Sequence, residues 1–282
     1  MARGARAAAA GLMLLAWPLV VELLLLGAGA GFLAGLLGVG GGMVLVPFIT
    51  LLLTLKGFPS DLIVKVAIAT SLATICFTSL SSVRAHHARG AVRWDIVRRL
   101  APGIVLGSLL GAQVAKALPS ALLAGLFALF VGFSATQMLR GGKPTPARQL
   151  PPAPGLFGVG GVIGAVSALV GAGGAFMSVP FMTWCNVPIH NAVATSAALG
   201  VPIALAGTAG YIAAGWNLHG LPPGTLGFLY LPALLVVSTA SVMTAPLGAR
   251  TAHALDVQQL RRVFALLLYA ISGYMFWRAL QG

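Results

Sequence analysis

Apolar residues run along this chain in blocks of about 20, broken by short polar or glycine-rich punctuation, and runs of that length cross a hydrocarbon layer as helices. The blocks do not alternate apolar and polar positions, which excludes the strands of a membrane barrel. Read in order, the pattern predicts helices over 12–37, 43–55, 62–83, 100–117, 120–139, 155–170, 175–185, 190–214, 223–246 and 258–280. Pro59, Ser60 and Asp61 form a turn and N-cap before the third, Pro119 separates two others, and Pro188 precedes the eighth. Residues 84–99, with five arginines against Asp95, read as a basic loop. Thr70, Thr74, Thr78 and Ser81 recur every three or four positions and so line one helix face. Gly27, Gly31 and Gly35, and likewise Gly103, Gly107 and Gly111, mark faces where a second backbone can come close.

One stretch occurs twice. GFLAGLLGVGGGMVLVPFIT at 31–50 matches GAVSALVGAGGAFMSVPFMT at 164–183, with Gly38, Gly40, Gly41, Pro47 and Thr50 falling on Gly171, Gly173, Gly174, Pro180 and Thr183. Ala69-Thr70-Ser71 recurs as Ala194-Thr195-Ser196, and residues 111–129 are echoed at 248–266. Three blocks repeating in one order describe a duplicated unit. Residues 1–140 form the N-terminal repeat, 141–154 a proline-rich linker, and 155–282 the C-terminal repeat. The basic loop at 84–99 has a counterpart at 214–222 without Lys or Arg, whereas the turn at 116–120 holds one lysine and its counterpart holds Arg250, Arg261 and Arg262. The basic side swaps, so the repeats are expected to be inverted, with a parallel four-plus-four arrangement as the alternative. The expected fold is an all-α polytopic membrane protein of two homologous helical repeats with about eight to ten membrane segments. Each repeat carries a glycine-broken or re-entrant helix.

Composition agrees. The 282 residues are 59% hydrophobic and 7% charged, and the mean hydropathy is +0.98. A soluble domain carries about 25% charged residues. The net charge of +13 sits in loops where it orients helices, so it does not point to nucleic acid. Arg3, Arg6 and the apolar run to Leu37 read as an uncleaved first segment, the run being too long for a signal peptide. Cys76 and Cys185 read as small core residues. Gly29, Gly31 and Ala34 loosely fit a dinucleotide fingerprint, but no strand precedes them.

The candidate chemistry lies in the breaks. Glycines bare the backbone, and in a bilayer such backbone is tolerated where it lines a cavity. Met43 and Ala175 begin the arms after the breaks, where free N–H groups and the positive helix end favour an anion. Tight packing alone would explain one copy, and two matched copies point to binding. The candidate substrate-binding residues are Gly38, Gly40, Gly41, Gly42, Met43, Thr70, Ser71, Thr74, Gly171, Gly173, Gly174, Ala175, Thr195 and Ser196. Of the four acids, only Glu22 lies within a span, as a candidate for coupling a proton or ion, although an interfacial position suits it as well. Lys65 and Lys116 are expected to snorkel. His86 and His87 complete no ligand set, and no catalytic, cofactor or metal motif stands out. Expected partners are a small anion and the lipid bilayer.

The paired glycine blocks with VPF, the two ATS triplets and AHHARGAVRW at 85–94 resemble the sulfite exporter TauE/SafE family, also called the four-toluene sulfonate uptake family. The resemblance covers about residues 23–280, but AAGWNLHG stands where the family has a second basic loop. It implies a bacterial inner-membrane carrier moving sulfite, thiosulfate or organosulfonates, usually outward. Gly38, Gly40, Gly41, Thr70 and Ser71 would form one half of its site, and Gly171, Gly173, Gly174, Thr195 and Ser196 the other. An anion channel and a non-transporting membrane scaffold are the competing readings.

Overall fold

The structure, a computed structural model, describes residues 17–37, 42–140, 148–218, 221, 224–252 and 257–281. Ten helices appear among them: α1 (Trp17–Leu37), α2 (Gly42–Leu55), α3 (Ser60–Ala88), α4 (Trp94–Ala117), α5 (Ser120–Arg140), α6 (Ala153–Val170), α7 (Ala175–Trp184), α8 (Ile189–Gly215), α9 (Leu231–Ala252) and α10 (Val257–Gln281). A two-residue hairpin, β1 (Thr225–Leu226) and β2 (Leu229–Tyr230), precedes α9. Six helices are long and apolar enough to cross a membrane, and shorter apolar ones accompany them. The protein is an all-α polytopic membrane protein. Leu25, Leu110, Leu129, Phe133 and Leu266 stand outward in the manner of lipid-facing side chains.

Contacts between helices fix their relative directions. In α3 and α8, Ser79 meets Gly200 and Leu72 meets Gly207, so the two run antiparallel. In α5 and α10, Gly132 meets Ser272 and Gly125 meets Ala279, again antiparallel. By contrast α4 and α6 run parallel, with Gly103, Gly107 and Gly111 seated in turn on Phe157, Gly161 and Ala165. The same holds for α1 and α9, where Gly27 meets Val237 and Gly31 meets Ser241. The two glycine stripes therefore let backbones approach, as small residues do in membrane helix pairs. Each of these four pairings joins the N-terminal half to the C-terminal half.

Neither α2 nor α7 crosses. At 1.5 Å per residue, the 14 residues of α2 and the 10 of α7 reach about 21 Å and 15 Å, short of a hydrocarbon core of roughly 30 Å. Antiparallel to α3, α2 packs with Gly42 beside Ser71 and Ile75. Since α3 and α9 run together, with Thr70 at Tyr230 and Ala73 in a cluster with Leu234, α1 and α2 form a helical hairpin. Antiparallel to α8, α7 packs with Gly174 at Ile203 and Ser178 at Ser196.

These directions bring the ends of α3, α5, α7 and α9 to one end of the molecule, with Arg84, Arg89, Arg93, Arg98, Arg99, Arg140, Arg148 and Arg262. The other end holds Lys56, Lys65, Lys116 and Arg278, with Glu22 and Asp61. They are called here the basic end and the plain end.

Three expectations change. The basic loop shrinks to residues 89–93, because 84–88 and 94–99 are helical and belong to α3 and α4. The run at 223–246 becomes helical only from Leu231, after a turn in which Gly224 and Gly227 adopt positive φ. Lys65 does not snorkel. It is buried, and its Nζ donates to the carbonyl of Lys116 at 2.9 Å, in the last turn of α4 where a cation offsets the helix dipole.

Candidate functional site

The second glycine break can be followed atom by atom. Gly171 closes α6 in the left-handed conformation (φ 72°). The Ser167 carbonyl accepts from Gly171 N at 2.8 Å and from Ala172 N at 3.2 Å, satisfying the helix end. Gly174, also left-handed (φ 74°), opens α7, and its carbonyl accepts from Met177 and Ser178. Both turns need glycine, since a side chain is strained there. Among the described residues, no hydrogen bond engages the N–H groups of Gly173, Gly174, Ala175 or Phe176. They are the donors that a helix start leaves over.

The two hairpin tips touch. A methyl group on Gly42 would lie 2.5 Å from the Gly171 oxygen and 2.7 Å from Ile75 Cδ1. One on Gly171 would lie 2.8 Å from Val46 Cγ2. Ser71, fully buried on α3, donates its hydroxyl to both tips, to Gly171 O at 3.2 Å and Gly42 O at 3.4 Å. On the C-terminal side Ser178 Oγ donates to Ser196 Oγ at 2.8 Å, and both are buried.

Of the sequence candidates, Gly42, Ser71 and Gly171 come together at the tips, with Gly173, Gly174 and Ala175 next along the second break. Met43 is buried beside them, although the first helical residue of α2 is Gly42, the counterpart of Ala175. Gly38, Gly40 and Gly41 lie outside the described residues. Thr74 spends its proton on its own helix, at Thr70 O (2.9 Å). The hydroxyls of Thr70 and Thr195 are engaged elsewhere: Thr70 Oγ1 accepts from Tyr230 N at 3.2 Å, and Thr195 Oγ1 from Arg93 N at 3.0 Å. Ser178 escaped the sequence reading because its counterpart in the first copy is Leu45, and matching the copies selects what they share.

The charged groups stand apart. Glu22 pairs with Lys56 at 3.3 Å, both partly exposed, near the start of α1 at the plain end. Arg93 holds Asp95 with two bonds, of 2.9 and 2.8 Å, at the basic end, where His87 accepts from Trp94 Nε1 at 3.2 Å. A pair as exposed as Glu22–Lys56 contributes about 0–1 kcal/mol. Glu22→Gln is therefore expected to leave the melting temperature and the pH profile of flux unchanged; a shifted profile would make Glu22 a coupling group.

Comparison with known proteins places this geometry. Residues 23–275 match the family described as Sulfite exporter TauE/SafE. A "Probable membrane transporter protein" of Haemophilus influenzae is 37% identical over 90% of this chain and 96% of its own length. One of Methanocaldococcus jannaschii is 26% identical over 90% and 94%, and one of Xylella fastidiosa 27% identical over 88% and 92%. No solved structure matches the chain. The matched residues 23–275 span both hairpins and the helices around them, and the chain belongs to the sulfite exporter TauE/SafE family of membrane proteins.

Proposed function

We propose that this protein is a secondary carrier for sulfur-containing anions (sulfite, thiosulfate or organosulfonates) that works by alternating exposure of a site at the hairpin tips. The observation that carries this reading is the start of α7. There the N–H groups of Gly173, Gly174, Ala175 and Phe176 have no hydrogen bond among the described residues, at the positive end of a helix and one turn before Ser178. Such donors suit an oxoanion. The described acids lie at the two ends, Glu22 and Asp61 at one and Asp95 at the other, so none repels an anion from the tips. The substrate-binding set is Gly38, Gly40, Gly41, Gly42, Met43, Ser71, Gly171, Gly173, Gly174, Ala175 and Ser196. In the present conformation the tips are closed on each other, and solute exchange requires them to part.

Helix directions support inverted repeats. The third helix of each half (α3, α8) and the fifth (α5, α10) run opposite to their counterparts, as inversion requires. The Lys/Arg bias assigns the basic end to the cytoplasm of an inner-membrane protein. Outward transport follows the family description.

The test is thermal unfolding of the purified protein with sulfite, thiosulfate, sulfate and aryl or alkyl sulfonates. A ligand of the folded state at 100 times its dissociation constant adds about 2.7 kcal/mol. At least one of these anions is expected to raise the melting temperature with concentration and to show saturable flux in liposomes. No shift with any of them, together with no saturable flux, would remove the carrier reading.

A further inference from the structure

We infer that the two ATS threonines are gate latches at two depths, one level with the hairpin tips and the other toward the basic end; this rests on the carrier reading above. Thr70 and Thr195 hold the same place in their triplets, and both are fully buried. Each accepts a hydrogen bond from a backbone N–H of the other half. The donors are equivalent too: Arg93 immediately precedes α4, and Tyr230 immediately precedes α9. Thus the third helix of each half grips the chain where it enters the fourth helix of the other half.

The latches lie at different depths. Because Ser79 faces Gly200 and Leu72 faces Gly207, Thr195 on α8 stands level with about residue 84 of α3. That is some 21 Å from Thr70 at 1.5 Å per residue. The tips lie at the depth of Thr70 and on toward the Thr195 latch, since Gly171 rests on Ile68 and Ser71, Gly42 on Ser71 and Ile75, and Gly173 lies near Gly200. The Thr70 latch stands toward the plain end and the Thr195 latch toward the basic end.

Each latch has a seal around it. At the plain end the Tyr230 ring meets Phe58 edge-on at 5.5 Å, and Phe228 meets Tyr211 at 6.1 Å. At the basic end Asn191 Nδ2 donates to Ala91 O at 2.9 Å, and Val92 is buried. The bond at Thr70 is buried, and a buried N–H that loses its acceptor must find water, so opening that latch and admitting solvent are one event; the bond at Thr195 is half-buried, with Arg93 at the surface. Alternating exposure then means that one threonine releases its partner while the other holds.

The experiment uses the full chain with Cys76→Ala and Cys185→Ala, and Ser196→Cys as a reporter near the tips. Ala91→Cys with Asn191→Cys is closed at the basic end. Phe58→Cys with Tyr230→Cys is closed at the plain end by a short bifunctional thiol reagent that dithiothreitol reverses. Labelling of the reporter by a membrane-impermeant thiol reagent is then followed from each face. Closing the basic end should slow labelling from that face by on the order of tenfold and spare the other face. Closing the plain end should give the mirror result, and reduction should undo both. Labelling indifferent to either closure, or a reporter reached from neither face before closure, overturns the latches. Sided labelling that obeys both closures, when the unsubstituted chain shows no oxoanion flux, supports the latches and counts against the carrier reading alone.

Discussion

Gly107→Leu is expected to remove folded protein from the membrane fraction almost completely. On α4, Gly107 faces the carbonyl of Gly161 on α6, and a Cβ there would strike that oxygen. Gly103 is set against Phe157 O in the same way, and a methyl on Gly111 would lie 2.7 Å from Ala165 O. The obstacles are backbone atoms of a helix, so no rotamer change relieves them. The helices must separate, and with them goes the bond from Ser108 Oγ to Gly164 O at 3.2 Å. Overpacking a core costs about 1–3 kcal/mol or more, and prying apart a pair that joins the two halves exceeds that range. Gly29→Leu is the control, because nothing lies within 4 Å of a Cβ at that position. Detergent-extracted yield and melting temperature are the measurements. Equal values for the two variants would refute the close-packed α4–α6 seam.

The second large effect is on transport. Ser71→Ala takes the one side-chain donor from both hairpin-tip carbonyls, Gly42 O and Gly171 O, at a point where the residues are buried. A buried acceptor left without its donor costs about 1–3 kcal/mol, and 1.4 kcal/mol is a factor of about ten. Flux should fall by about tenfold or more, with a modest drop in melting temperature. Thr74→Ala makes the comparison, since the Thr74 hydroxyl serves only its own helix and its loss should change flux little. If both variants transport alike, the meeting point of the tips has no part in the site.

The sequence reading went furthest where the signal is local. Apolar run length marked the helices, and the matched glycine blocks marked the two hairpin tips. It stopped where partners are chosen across the two halves. Nothing in the spacing of Thr70 points to the N–H of Tyr230, 160 positions away, because that contact is set by how one half lies on the other. Hydropathy also misjudged helix ends. Arg84, His86, His87 and Arg98 read as loop, yet they are helical and belong to α3 and α4. Lys65 looked like a snorkelling side chain because its acceptor, the Lys116 carbonyl, belongs to another helix. The Leu45–Ser178 mismatch hid a hydroxyl of the second hairpin behind an aliphatic counterpart.

The contact between the hairpin tips orders events during synthesis. Ser71 leaves the ribosome long before the acceptor at Gly171, 100 positions later, has been translated. Until then the first hairpin lacks its partner at the tip, and the fold closes only after α8, α9 and α10, which pair with α3, α1 and α5, have followed. Because the closure at the tips, like those at Gly27, Gly107 and Gly132, joins residues before the linker to residues after it, a chain that stops at the linker lacks one side of each.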